Sequence, residues 1–186
     1  MSKRTGDPIT LGSGKLYYEE FNDTTEITFE AVKALCVAEK RLALIKGGAA
    51  LEYTEETYTE KDDLGLAAKT ITTSEEVKLK GGLLTWTGNT LGVLVDRSKV
   101  TEADGVRTTK IGGAGNAKGK YYVLVFHHED KIDGDLYVVI VGRNTAGLTL
   151  TFAADAGSTV EPEFTAKPHD DDGTLVVIYE ETGAAA

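Results

Sequence analysis

The chain has 186 residues, 30 of them acidic and 20 basic, giving a formal net charge of -10, with one cysteine and one tryptophan. That length suits one well-buried core and is short for two. The acidic balance argues against wrapping nucleic acid, which needs a concentrated cationic surface. Cys36 is alone, so no intrachain disulfide is expected, and the sequence shows neither a secretory leader nor an apolar run long enough to span a bilayer. Synthesis in a reducing cytoplasm is the expectation.

In chain order, residues 1–14 (MSKRTGDPITLGSG) carry the adjacent cations Lys3 and Arg4 and too little apolar surface to fold alone. They read as an arm, followed by one domain over 15–181 and a small-residue tail over 182–186. Phe29 to Lys40 places Val32, Leu35 and Cys36 at helical spacing behind threonines that could cap it. Its β-branched and aromatic entry leaves helix and extended link open. Gly47-Gly48, Asp104-Gly105 and Asp133-Gly134 separate apolar runs in the manner of two-residue hairpin turns, and Asp172-Gly173 precedes TLVVIYEE similarly.

From Glu75 to Asp96 (EEVKLKGGLLTWTGNTLGVLVD) a strand pattern turns into a helical one. Val77 and Leu79 alternate with Lys78 and Lys80, then Leu91, Leu94 and Val95 recur at helical spacing, with Thr87 or Asn89 as the cap and Gly92 weakening the stripe. Gly81-Gly82 inside the strand predicts a bulge or a close backbone approach. Residues 111–120 (IGGAGNAKGK) read as a flexible connection. Tyr121 to Phe126 and Leu136 to Val141 are apolar at nearly every position, as in strands covered on both faces. Leu148, Leu150 and Phe152 alternate with Thr149 and Thr151 as a further strand. The expected fold is mainly β: an antiparallel sandwich or partial barrel with one short flanking helix. Its core is expected to include Trp86, Leu91, Leu94, Phe126 and Phe152, with the Trp86 indole donating to a backbone carbonyl.

Candidate chemistry is sparse. His127, His128, Glu129 and Asp130 are the densest ligand-like run, and a cupin-like metalloprotein would use such residues. Adjacent histidines on a strand, however, point to opposite faces and cannot share one metal. Asp170, Asp171 and Asp172 lack the alternation of a calcium loop. Tyr17, Tyr18, Tyr121 and Tyr122 could line a small-ligand barrel but fit cross-strand packing pairs. No nucleophile comes with a partner motif, so no catalytic residue, metal or cofactor is expected.

Four runs, taken with their order and spacing, resemble the major tail tube proteins of long-tailed phages and Gram-positive prophages: Ile45 to Gly65, Glu75 to Leu91, Arg107 to Asp155, and Thr159 to Leu175. The resemblance covers nearly the whole chain from about Leu16 to Glu181. It implies a non-enzymatic structural subunit that forms hexameric rings, whose inner sheets join into one barrel and stack into a tube conducting DNA during genome ejection without specific binding. The expected partners are further copies and other tail proteins (tape measure, tail terminator, distal tail or baseplate proteins), with no membrane. The expected location is the virion tail, after assembly in the bacterial cytoplasm. The inner tube of a contractile tail or of a phage-derived bacteriocin is the nearest alternative; a small-ligand barrel is the alternative of another class.

The same resemblance assigns the excursion from Tyr53 to Ser74 to a loop reaching the adjacent ring, and the arm with Lys3 and Arg4 to a docking segment. Glu55, Glu56, Glu60, Asp62 and Asp63 repel one another in a free monomer and call for cations such as Lys110, Lys118 or Lys120 on a neighbour. An acidic lumen would let DNA slide without counterion-release affinity.

Overall fold

Runs that are apolar at nearly every position need cover on both faces, and β6 (Tyr122–His128) and β7 (Leu136–Asn144) have it. In the computed structural model, which describes residues 10, 12–22, 24–155 and 157–182, these strands pair antiparallel from Tyr122↔Gly142 to His128↔Leu136. Leu124 and Ile140 point inward, while Val123, Val125, Val139 and Val141 point outward. The fold is mainly β. Lys3 and Arg4 lie outside the described residues.

Around this pair the sheet closes on itself. In chain order the other elements are β1 (Lys15–Glu20), α1 (Phe29–Leu35), β2 (Arg41–Lys61), β3 (Ala68–Leu83), α2 (Gly88–Leu94), β4 (Ser98–Ala103), β5 (Val106–Ile111), β8 (Glu163–Ala166) and β9 (Val176–Glu180). Hydrogen-bonded neighbours run β6-β1-β2-β3-β8-β7, and β7 returns to β6, so six strands form a ring within one chain; β9 adds to β7 beside β8. The expected sandwich or partial barrel is therefore closed by its own strands. Its interior is filled by Leu16, Leu42, Val77, Leu79, Leu83, Leu124, Ile140 and Phe164, as in small barrels whose side chains leave no channel.

A second apolar layer lies outside the wall. Thr28 caps α1, its hydroxyl accepting from the Ala31 amide, and the helix lays Val32 and Leu35 over Tyr17, Val123, Val125, Tyr137 and Val139. The segment left open by the sequence is thus helical to Leu35, followed by a short 3-10 turn at Ala38–Lys40. Cys36 packs half-buried beside this layer, and burial pushes its thiol up to about 11, so it behaves as a small apolar group. No helix among the described residues is long and apolar enough to cross a membrane.

Helix α2 closes one end of the barrel with Val93 and Leu94; of the predicted stripe, Leu91 and Leu94 are buried and Val95 packs partly buried against the core, while Val93 lies outside that stripe. Thr87 is the cap: its amide donates to Thr90 Oγ1 (3.2 Å), and Thr90 in turn donates to the Leu42 carbonyl (3.2 Å). Gly92 has a packing reason, since a Cβ there would sit 3.0 Å from Val100 Cγ2 on β4. The β4–β5 hairpin turns on Asp104-Gly105, both at positive φ, as a primed turn requires.

Several expectations are corrected. Gly47-Gly48 does not turn the chain: β2 continues past it, with both residues bulged out between the Lys46↔Gly82 and Ala49↔Gly81 pairs. Both flanks find partners on β3, so the pair marks a bulge rather than a strand end. The expected bulge or close approach at Gly81-Gly82 sits opposite it, where a Cβ on Gly82 would come within 2.6 Å of the Lys46 carbonyl oxygen. Asp133-Gly134 belongs to a longer loop, residues 129–135, organised by Asp130 and Asp135, which accept backbone N–H bonds.

The segment 148–152 is not a strand and pairs with none among the described residues. Leu148 and Leu150 still pack on the barrel core, but Phe152 is 76% exposed and only meets the Trp86 ring edge at 6.2 Å. Without a sheet, alternation does not sort side chains into inside and outside. Trp86 is half-buried, not interior, though its Nε1–H finds the Ser158 carbonyl at 3.3 Å as expected. Phe126 packs on the core from the rim, while Leu91 and Leu94 are buried.

Burial separates the cost of two substitutions. Leu83→Ala, at a fully buried site, is expected to destabilise the fold by about 2–5 kcal/mol, whereas Phe152→Ala should cost roughly 0.5 kcal/mol or less. Thermal or denaturant unfolding of the two variants checks this; equal losses would contradict the assignment of Phe152 to the surface.

Candidate assembly surface

The longest strands outrun the barrel. β1 pairs with β2 only through residues 41–44, and β8 with β3 only through 78–80, yet β2 and β3 stay paired to Lys61↔Ala68. The expected loop from Tyr53 to Ser74 is therefore a two-stranded arm with both outer edges unpaired among the described residues. At about 3.4 Å per residue it projects roughly 35 Å. A bulge at Thr73, whose hydroxyl donates to the Glu56 carbonyl (3.1 Å), shifts the register between Glu56 and Thr57.

Alternation gives the arm two faces. One continues the side of Val77 and Leu79 and carries Tyr53, Glu55 and Glu75; the Tyr53 hydroxyl donates to Glu75 (2.8 Å) and Thr72 to Glu55 (2.6 Å). The other carries Glu52, Glu56, Tyr58 and Glu60. Ser74 donates to Glu56 (3.0 Å) and Tyr58 to Glu60.

At the root of the second face, Lys78 bridges Glu163 and Glu76, both at 3.1 Å, and Lys80 bridges Glu52 (2.7 Å) and Glu163 (3.1 Å). Glu163, held first by Lys78 and then by Lys80, has its carboxyl below the ordinary range. Glu55, Glu56, Glu60 and Asp63 make no such ion pair among the described residues.

The tip is built by Asp62. Its backbone pairs with Ala67 (3.1 Å) and receives the Gly65 amide (3.0 Å), while its carboxylate accepts from Ala67 N–H (2.7 Å) and Leu64 N–H (3.3 Å). The Ala67 bond, above all, holds the carboxyl below its usual range. Asp62 thus orders the tip while its charge stays exposed. The ordered turn holds out Leu64 and Leu66, 80% and 83% exposed. Sequence reading missed both; an apolar Leu-Gly-Leu flanked by hydrogen-bonding turn residues was the available signal.

The three cations assigned to meet the acidic arm fare differently. Lys110 is exposed on β5. Lys120 pairs with Glu20 at 2.5 Å. Lys118 turns inward, its ammonium donating to the Gly92 carbonyl (2.8 Å) and Ser98 Oγ (2.9 Å), where burial lowers its pKa. It is a half-buried cation at the end of α2, where the last helical carbonyls need donors. The same bonds order the connection expected to be flexible, which includes a 3-10 turn at Ala114–Asn116.

Elsewhere the ligand-like residues have structural partners. His127 pairs through Nε2 with Asp135 (2.9 Å) and stacks on Tyr137 at 4.3 Å, while His128 Nδ1 donates to the Ser13 carbonyl (2.9 Å) from the other face of β6. The described end of the N-terminal segment is thus docked on its own chain. Asp170 receives Thr174 N–H (2.8 Å) in the turn before β9. Tyr18 and Tyr122 form an edge-to-face pair at 6.0 Å, and burial pushes the Tyr122 phenol up to about 12. β9, paired to β7 on one side, leaves its other edge without a strand among the described residues.

Compared with known proteins, the chain matches no family model and no curated protein.

The tip responds to acid in a defined direction. Because the folded pKa of Asp62 is depressed, its contribution is present above the unfolded value and is lost only as pH falls through the lower folded one. Amide protection at Ala67, read by NMR hydrogen exchange, is expected to persist below the ordinary Asp range of about pH 4 and to vanish in Asp62→Ala at every pH. Unchanged protection in that variant would show that the carboxylate does not order the tip.

Proposed function

We propose that this chain is a non-enzymatic, self-assembling structural subunit whose copies build a hollow tube of the phage tail-tube kind its sequence resembles. The observation that carries the reading is the arm: about 35 Å of two-stranded ribbon with bare edges and an apolar tip. An isolated ribbon of this sort is marginal in water, and unpaired edges with exposed leucines invite protein contact. Identical copies supply such contacts repeatedly, and their symmetry closes rings or propagates stacks.

The filled barrel interior bears on where a channel would lie. Packed by Leu124, Ile140 and Phe164, it has no room for a ligand or a passing polymer, so the conduit runs between copies. This weighs against the single-chain small-ligand barrel. An acidic wall would pass DNA with little adhesion, in keeping with the net charge of -10. In this reading the rings are hexameric, the other partners are tail proteins that set length and ends, and the assembly belongs to a virion tail put together in the bacterial cytoplasm. The inner tube of a contractile tail or of a phage-derived bacteriocin shares this architecture.

Arm and barrel are separable by experiment. With residues 54–74 replaced by a two-residue turn, the chain is expected to keep a cooperative unfolding transition within a few degrees of the parent, because those residues bury little. It should also lose the rings or rods that negative-stain microscopy is expected to show for the concentrated parent. A shortened chain that polymerises like the parent overturns the proposal.

A further inference from the structure

One aromatic ring on the outer wall carries two cations. Tyr121, next to β6, has Lys167 Nζ 4.6 Å and the Arg143 guanidinium carbon 5.3 Å from its ring centroid, and Lys167 lies 4.6 Å from the Phe21 ring as well. Ring quadrupoles attract cations and fix their positions, but they cancel no charge. Among the described residues neither Arg143 nor Lys167 has a carboxylate at ion-pair distance, although the chain has ten more acids than bases. Two like charges are thus gathered on one ring with no ion-pair partner among the described residues.

The arm has the opposite problem. Glu55 and Glu75 stand directly across from each other in the β2–β3 register, an arrangement that destabilises a strand pair when both carry the same charge. Hydroxyls steady each of them, Glu55 by Thr72 (2.6 Å) and Glu75 by Tyr53 (2.8 Å), and neither has an ion pair among the described residues. That bond to Glu75 is the main reason the Tyr53 phenol is pushed up to about 12.

We propose that the Glu55–Glu75 pair on the arm of one copy seats on the Arg143–Lys167 pair of a second copy, each relieving the repulsion the other carries alone. The inference rests on the assembly reading and names a contact through which it acts. Complementarity of sign and number favours carboxylates of a second copy over phosphates, since two cations on an acidic surface give nucleic acid little counterion release.

The test uses two full-length variants, Arg143→Glu with Lys167→Glu and Glu55→Lys with Glu75→Lys. Each alone is expected to need about tenfold more protein than the parent to form sedimenting assemblies, and an equimolar mixture should recover most of that loss. Glu75→Gln separates the contact from a purely structural role: the dilute monomer should melt no lower than the parent, while the concentration needed for assembly rises. If a charge-reversed chain unfolds without cooperativity, Arg143→Gln with Lys167→Gln supplies the same readout. Variants that assemble as the parent does overturn the pairing and leave the assembly reading standing, whereas a parent that stays monomeric at every concentration overturns both. Binding of duplex DNA that is lost in the Arg143 and Lys167 variant, with assembly unchanged, assigns the cations to phosphate and overturns the pairing.

Discussion

The pairing of β6 with β7 is the interaction on which the rest of the structure depends. Leu124 and Ile140 carry the inner core, and on the reverse face Val125, Val139 and Val141 carry the layer under α1. All five are fully buried. A strand pair covered on both sides fixes where β1 and β8 must add, and those two in turn hold the roots of β2 and β3. Because β7 meets β6 on one side and β8 and β9 on the other, the wall closes without help from another chain.

Closure has a consequence for the arm. The barrel needs only the first residues of β2 and the last of β3, so everything from about Tyr53 to Glu75 is surplus to the core. Sidedness persists along this surplus, since alternation continues, but neither face meets a packed layer. Hydroxyls from Tyr53, Thr72, Ser74 and Tyr58 therefore do what lysines do at the root: they hold carboxylates in place. A neutral donor leaves the negative charge in place, and the arm leaves the barrel as a fixed acidic ribbon ending in two bare leucines.

The body shows the converse economy with its cations. Lys118 ends α2, Lys120 and Lys15 pair with Glu20 and Glu129, and Lys78 and Lys80 share Glu163. Exposed pairs of this type contribute little each; their effect is to use up positive charge locally. Charge of both signs remains without an ion pair among the described residues, including the carboxylates Glu55 and Glu75 on the arm and the two cations around Tyr121. Neutral partners hold these groups in place without cancelling their charge, so they stay available to complementary charge on another surface.

The sequence by itself determined the elements whose residues respond to local rules. Tyr121 to Phe126 and Leu136 to Val141 had to be doubly covered strands, Val77 and Leu79 had to face a core, Asp104-Gly105 had to turn, and Thr87 could cap a helix ending in Leu94. Backbone sterics and side-chain period act over a few residues and leave their mark there. Only the tertiary structure decided that Gly47-Gly48 is a bulge and not a turn, that Phe152 faces water, that Lys118 turns in to the end of α2, and that Asp62 serves its own tip. Each of these depends on whether a partner strand or acceptor distant in sequence lies alongside, a property of where the ring of strands closes. The juxtaposition of Arg143 and Lys167 on Tyr121 arises in the same way, from three strand ends that meet only when the barrel is complete.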